Sequence, residues 1–402
     1  MPLSIFILQL SMEQLKPSKY ELAEYSTRLE KVRQRMSEEE VDLLILSNME
    51  HIFYLSNYQT VGGCVQVLLA TQNDIHIVTR ELEATNAQFR SHVSFSFYDE
   101  SEDPIHVIAD QVKKRYGNGG IKEIGLEFNT TRLAYNQVNQ LQKELLAVFP
   151  NAGFTDASQL VSRLRLVKSP LEIAKVRRAA QIVHVGLQAG ISEACSGMME
   201  TEVGGTILKA MCKEGCEYTA YPVFLCSGET GCLGHYTPTQ KIVQDQEVVF
   251  FEIGGCYNRY HAARMYSIYI GDEVPQWFTS AETLVRKAVH VGKQLMKPGA
   301  AAKDVDKAMR DIISQYPFPH KQSERSGYSI GIGFYTDWSN SEFFIHPSSE
   351  GVFQENMTIH LIPWIQVPGK GAVGFSDTVL VTSGGGESLF EGYYYKRGDK
   401  WV

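Results

Sequence analysis

The sequence predicts an α+β protein in which a smaller α/β domain precedes a larger domain where strands outnumber helices. Three observations carry this expectation. Short apolar strands alternate with amphipathic helical patterns over the first third of the chain. A complete helix-start signal then stands at Lys168-Ser169-Pro170-Leu171-Glu172. Beyond it the regular alternation stops and strand-like runs dominate. The 402 residues exceed one domain of average size, and the boundary is expected between segments 1–165 and 166–402.

Taken in order, the run Leu3 to Leu10 is apolar but lacks a basic leader and a small-residue cleavage site. It reads as a loosely docked tail, with Met12 as a possible alternative start. Residues 20–36 keep helical spacing, and 41–46 reads as a buried strand. Strands are expected at 64–69, 75–78, 93–97 and 124–127, with helices near 81–90, 105–116 and 132–148. At the second domain Ser169 supplies a cap, Pro170 suits the first helical position and Glu172 completes a capping box. Ile173, Val176, Ala180, Val183 and Leu187 then hold one apolar face, predicting a helix over 169–189. Strands follow at 247–253, 265–270, 358–362 and 377–381, with only two long helices, near 280–296 and 302–315. No stretch reaches the roughly 18 uncharged apolar residues of a membrane span.

Composition narrows the function classes. Lys and Arg number 38 against 46 Asp and Glu, a net charge of −8. With no basic run, the attraction that draws proteins to nucleic-acid phosphates is missing. Seven cysteines never form a CxxC pair, which suits reduced thiols in a cytoplasmic protein. Cys212 and Cys216 fall within a helical pattern where they could share a face, but His235 is the sole nearby imidazole, which argues against zinc.

Polar residues with catalytic capacity gather in three segments of the second domain. The loop from Cys226 to Tyr236 is rich in glycine and ends Gly234-His235-Tyr236. The segment Phe250-Phe251-Glu252-Ile253-Gly254-Gly255-Cys256-Tyr257-Asn258-Arg259-Tyr260-His261 places Glu252 at the end of an apolar run. Burial there raises a carboxyl pKa unless a cation or donor holds it ionised. The segment Arg325 to Trp338 carries Gly327, Gly331 and Gly333, which permit close backbone approach to a ligand. It lacks the Lys-Ser/Thr and following helix of a phosphate loop.

As a set these landmarks resemble the creatinase/aminopeptidase, M24-like family, whose catalytic domain has the pita-bread fold behind a creatinase-like N-terminal domain. The boundary Arg163-Leu164-Arg165-Leu166-Val167-Lys168-Ser169-Pro170-Leu171-Glu172-Ile173 resembles the family's domain junction, and Gly234-His235-Tyr236 resembles the stretch bearing its substrate-side histidine. The family's metallopeptidases hold two metal ions with two Asp, a His and two late Glu. The matching positions here are Glu252, Ala263, Tyr328, Ile362 and Ser376. One carboxylate among two apolar side chains, a phenol and a hydroxyl cannot hold two hard cations. No metal or other cofactor is therefore expected.

Within the family the chain is most similar to the ectoine hydrolase branch, through Glu252 to Tyr257 with Tyr260-His261, through Gly327 to Gly333, through Asp337-Trp338 and through Met357-Thr358-Ile359-His360-Leu361-Ile362-Pro363. It departs from that branch at Ala262-Ala263-Arg264-Met265-Tyr266. The resemblance implies a metal-independent hydrolase opening the cyclic amidine of ectoine or hydroxyectoine, a small zwitterion, to an N-acetylated diaminobutyrate. A creatinase-like amidinohydrolase and a non-catalytic pita-bread interaction module are the alternatives. The roles implied are Glu252 as nucleophile or general base and His235 as acid and base, with His261 assisting. Arg325 would hold the carboxylate. The rings of Tyr328, Phe334, Tyr335 and Trp338 would face the cation, at about 0.5–2 kcal/mol per contact. Tyr260, Asp337 and His360 complete the expected substrate contacts. The resemblance also implies a homodimer, with residues 53–58 as the place to look for a contribution to the partner's site, or else as core.

Overall fold

The structure, a computed structural model, describes residues 16–393, 395–397 and 400–401, so the apolar run 3–10 and Met12 lie outside the described residues. Two compact units divide at Arg165/Leu166. In the first, Leu43–Leu46 (β1) is buried at all four positions, because it lies inside a six-stranded mixed sheet. It runs antiparallel to Val67–Ala70 (β2), which pairs with Ile75–Arg80 (β3), and β3 runs parallel to Ser94–Tyr98 (β4). On its other side β1 runs parallel to Glu123–Leu126 (β5), followed by Gly153–Asp156 (β6). Leu43 and Ile45 pack with Ile108 and Val112 of helix Pro104–Tyr116 and Leu141 and Leu145 of helix Tyr135–Val148. Burial on both faces is why β1 reads as a continuous apolar run.

The helix Met49–Ser56 was not expected from the sequence. Its Phe53, Tyr54 and Leu55, and Tyr58 just beyond, are all at most 3% exposed. These aromatics are thus buried within the chain, in line with the reading of them as core.

The second unit opens with helix Pro170–Glu193, where Ser169 Oγ accepts from the Glu172 amide at 3.2 Å and Glu172 Oε2 accepts from the Ser169 amide at 2.9 Å. Three long helices follow it, where two were expected. The additional one, Glu200–Lys213, contains Gly204-Gly205, which lowers helix propensity and dilutes the apolar pattern. It ends before Cys216, so Cys212 and Cys216 do not share a helical face. Cys216 instead accepts the Cys256 amide on its sulfur at 3.3 Å.

Besides a short ladder of Lys396–Arg397 with Lys400–Trp401, the strands are Phe224–Ser227 (β7), Glu247–Tyr257 (β8), Tyr260–Ile270 (β9), Lys321–Gln322 (β10), Gly327–Phe334 (β11), Asp337–Ile345 (β12), Thr358–Leu361 (β13), Trp364–Val367 (β14), Gly371–Gly374 (β15), Asp377–Thr382 (β16) and Gly385–Ser388 (β17). Eight form one sheet in the order β17-β16-β13-β11-β9-β8-β7, with β12 also on β11. Every pairing in it is antiparallel. β10, β14 and β15 make a smaller sheet. The segment 325–338 is thus mostly strand and hairpin.

Adjacent glycines in β8 meet opposite layers, since successive strand residues point to opposite faces. A Cβ on Gly255 would lie 2.5 Å from the Ala179 carbonyl oxygen of helix Pro170–Glu193, whereas one on Gly254 would lie 2.3 Å from the Trp338 ring. Gly255→Ala is expected to push the helix off the sheet and destabilise the protein by about 1–3 kcal/mol. Urea denaturation checks this; an unchanged midpoint would mean that the helix retreats at no cost.

Candidate active site

Glu252 lies on the sheet face turned away from helix Pro170–Glu193. Register places Phe224, Glu252 and Met265 side by side across β7, β8 and β9. Glu252 is 8% exposed, and no described residue donates a hydrogen bond to its carboxyl. Burial without donors pushes its pKa up to about 7, opposed by the positive charge of Arg325. The Arg325 guanidinium packs over the rings of Tyr328 at 4.9 Å and Phe344 at 4.8 Å. The site thus joins an acid poised near neutrality to a cation held by ring faces.

Beside this pair runs a chain of hydrogen bonds. Trp338 Nε1 donates to the Tyr328 hydroxyl at 2.8 Å. Tyr328 lies 2.9 Å from His360 Nδ1, and His360 Nε2 lies 2.7 Å from Ser376 Oγ. Ser376 Oγ also accepts the Met265 amide at 2.5 Å. The Tyr328 and Ser376 hydroxyls can each donate or accept, so the chain is satisfied by either neutral tautomer of His360. Burial and the charge of Arg325 hold its pKa down at about 3, keeping the ring neutral. Cross-strand register builds the chain, with Tyr328 opposite His360 on β11 and β13.

This chain decides whether the family's two metal ions fit. Of the five matching positions, Ala263 and Ile362 carry no donor, and Tyr328 and Ser376 spend theirs on His360. Both His360 nitrogens are engaged, leaving Glu252 alone. Among the described residues no three His, Cys, Asp or Glu side chains gather as a metal site. A dinuclear centre needs several hard oxygen ligands, and this donor set does not fit one.

The remaining expected site residues separate into two groups. His235 is exposed, at φ +55°, stacks on Tyr221 with centroids 5.9 Å apart and meets the Phe224 ring at a tilt with centroids 5.2 Å apart. Tyr221 in turn meets Trp338 edge-on at 4.8 Å, which links His235 through rings to the Tyr328 chain. Tyr335 is 66% exposed. Asp337 is exposed as well, and its carboxylate accepts from the Ser339 amide and hydroxyl at 2.7 and 2.8 Å.

Two expectations are corrected. Tyr260 points to the opposite face, donating to Glu172 at 2.9 Å with Lys175 over its ring, so it does not join Glu252. His261 is on the correct face but fully buried, with Nδ1 donating to the Arg259 carbonyl at 3.0 Å and Nε2 accepting the Ala220 amide at 3.1 Å. Burial holds its pKa at about 3. With both nitrogens committed to backbone, it braces the strand and has no proton to exchange. Conversely, Tyr221, Phe224 and Phe344 belong to the site but were not singled out in the sequence. Apolar and aromatic residues join such walls through tertiary contact, which leaves no local signal.

The family model for metallopeptidase family M24 matches residues 174–383, and that for the creatinase/prolidase N-terminal domain matches residues 28–167. An ectoine hydrolase of Halomonas elongata is 28% identical over 388 residues, covering 91% of this chain and 95% of its own length. A Xaa-Pro dipeptidase of Pyrococcus horikoshii is 23% identical over 362 residues, covering 90% and 96%. The crystal structure of a prolidase from Pyrococcus horikoshii superposes with a TM-score of 0.78 at 23% identity, covering 92% of this chain and 99% of that one. These matches bear out the two-part architecture of a creatinase N-terminal domain and a pita-bread domain, and the relatives named are hydrolases.

The raised pKa of Glu252 has a thermodynamic signature. Between its ordinary value of 4.5 and about 7 the native protein binds more protons here than the unfolded chain, so this group makes stability fall as pH rises through that window. Glu252→Gln removes the dependence. Its stability profile is expected to be flatter between those values, and above pH 7 the variant should exceed the parent by up to about 3 kcal/mol. Thermal melts across pH check this; parallel profiles would contradict it.

Proposed function

The chain belongs to metallopeptidase family M24, and we propose that it is a hydrolase that opens the cyclic amidine of ectoine or hydroxyectoine without metal. The observation that carries the reading is Glu252, a buried carboxyl with a pKa near 7 beside Arg325, in a site where the remaining metal-ligand positions carry no carboxylate. The similarity to an ectoine hydrolase over nearly the whole chain supports the substrate.

In this reading Arg325 holds the substrate carboxylate, while Tyr328 and Trp338 provide ring faces near the amidinium. Glu252 in its ionised form either attacks the electron-poor amidine carbon or takes a proton from water that does so. In the first version water resolves the adduct. His235 passes a proton to the departing ring nitrogen as the carbon–nitrogen bond breaks. One water is consumed, and the amidine becomes an amide and an amine, an N-acetylated diaminobutyrate. The Tyr328–His360–Ser376 chain keeps its protons and fixes the wall against which the ring lies. Asp337 and Tyr335, both exposed, would contact substrate from the rim. A homodimer belongs to the same reading and rests on the family resemblance alone. A cytoplasmic setting is proposed from seven free cysteines.

Chelator-treated protein incubated with ectoine, creatine and X-Pro dipeptides tests this directly. Acetylated diaminobutyrate from ectoine is the expected product; urea or proline instead would overturn the reading. The value of kcat/KM should rise with pH through about 7 as Glu252 ionises. Glu252→Gln should lose about a hundredfold or more in kcat, and Arg325→Ala should raise KM more than it lowers kcat.

A further inference from the structure

The strands that carry Glu252 hold a second polar site on their other face. Arg264 is paired across β8 and β9 with Ile253, so its side chain points away from Glu252, towards the helices. Arg264 is 5% exposed, yet its Nε and Nη1 atoms make no hydrogen bond. Of seven such orphaned buried atoms among the described residues, four gather here: these two, the Tyr395 hydroxyl and His184 Nδ1. His184 stacks on Tyr393 at 4.2 Å and lies 5.2 Å from the Tyr395 ring. Arg264, Tyr393 and Tyr395 line a cleft of about 740 Å³, within the size range of small-molecule sites.

Charge in the cleft is nearly balanced by existing pairs. Lys293 meets Asp377 at 3.2 Å, whose other oxygen accepts from Ser388 at 2.8 Å. Arg286 is bound to Glu282 at 2.7 Å, and Glu387 to Arg177 at 2.6 Å. Glu391 is exposed on the rim, where water screens it. Asp377 lies within range of the charges of both Arg264 and Lys293, so two cations share one buried carboxylate and one positive charge is left over, while Arg264 Nε and Nη1 stay without a hydrogen bond. Rings surround Arg264, with Phe390 at 4.6 Å and Phe375 at 5.1 Å. A buried guanidinium with unmade hydrogen bonds is costly unless an acceptor supplies them.

We propose that this cleft is a second ligand site, separate from the Glu252 site, that binds a small organic carboxylate with an apolar or aromatic body. One uncompensated positive charge matches a monoanion. The planar fork of Arg264 matches a carboxylate in two-point contact, and Phe375 and Phe390 accommodate an apolar body. The Tyr395 hydroxyl and His184 stand close enough to the same region to complete the polar set. The inference does not depend on the reaction assigned to Glu252.

Benzoate is the probe, titrated calorimetrically into the full-length protein, with benzamide as its uncharged isostere and inorganic phosphate as a second anion. Saturable benzoate binding at one site is expected. It should weaken about tenfold or more in Arg264→Met and with benzamide, and stay within about twofold in Arg325→Ala, whose lesion lies on the other face. Arg264→Lys keeps the charge but loses the fork, so it too should bind several-fold more weakly, which gives a readout even if Arg264→Met does not fold. Absent benzoate saturation, parental affinity in the Arg264 variants, loss of binding in Arg325→Ala, or phosphate binding tighter than benzoate would each overturn the proposal.

Discussion

The hydrogen-bond chain from Trp338 through Tyr328 and His360 to Ser376 and the Met265 amide ties together β12, β11, β13, β9 and the start of β16. Each member is buried, and each bond has a donor and an acceptor in compatible directions. Such a network is stable only when it is complete, because an unpaired buried group costs more than a made bond returns. The network also occupies groups that a ligand or metal ion would otherwise use. The phenol, imidazole and hydroxyl that could have faced a ligand are turned towards one another, and Glu252 alone is left without a donor.

Those two facts belong together. In a site where two metal ions would have stabilised several ionised carboxylates, a single carboxyl must bear its own desolvation, and its pKa climbs towards neutrality. Arg325 opposes the shift without forming a hydrogen bond to it, so the acid remains able to change protonation state near pH 7. On the reverse side of the same sheet Arg264 sits among rings, sharing buried Asp377 with Lys293 and leaving two of its guanidinium nitrogens without a hydrogen bond. Strand alternation alone, Glu252 paired with Met265 and Ile253 with Arg264, separates the two sites by the thickness of one sheet.

Parts of this were legible in the sequence for identifiable reasons. Ser169, Pro170 and Glu172 announce their helix because capping is local chemistry. Glu252 alone reads as easily as a structural strand-end carboxyl, and it stands out only jointly with the His235 loop and the glycine-rich segment from Arg325 to Trp338. Helix Glu200–Lys213 showed only near its end, where Cys212 falls in a helical pattern, because its central glycines dilute the apolar face, and helix Met49–Ser56 was hidden by being short and buried. Tyr260 and His261 are neighbours in the sequence on opposite faces in the fold, so proximity to Glu252 along the chain could not separate a brace from a substrate contact. Tyr221 and Phe344 were illegible because only tertiary packing brings their rings to the site. The Arg264 cleft was equally hidden, since a buried arginine shows its missing partners only once its surroundings are known.

Glu252, Ala263, Tyr328, Ile362 and Ser376 make a donor set unsuited to the family's metal pair. Calorimetric titration of metal-free protein with Mn²⁺, accompanied by elemental analysis after gel filtration, tests it most directly. No pair of ions should be retained per chain. Two Mn²⁺ bound per chain at micromolar concentrations, and lost in Glu252→Gln, would contradict it.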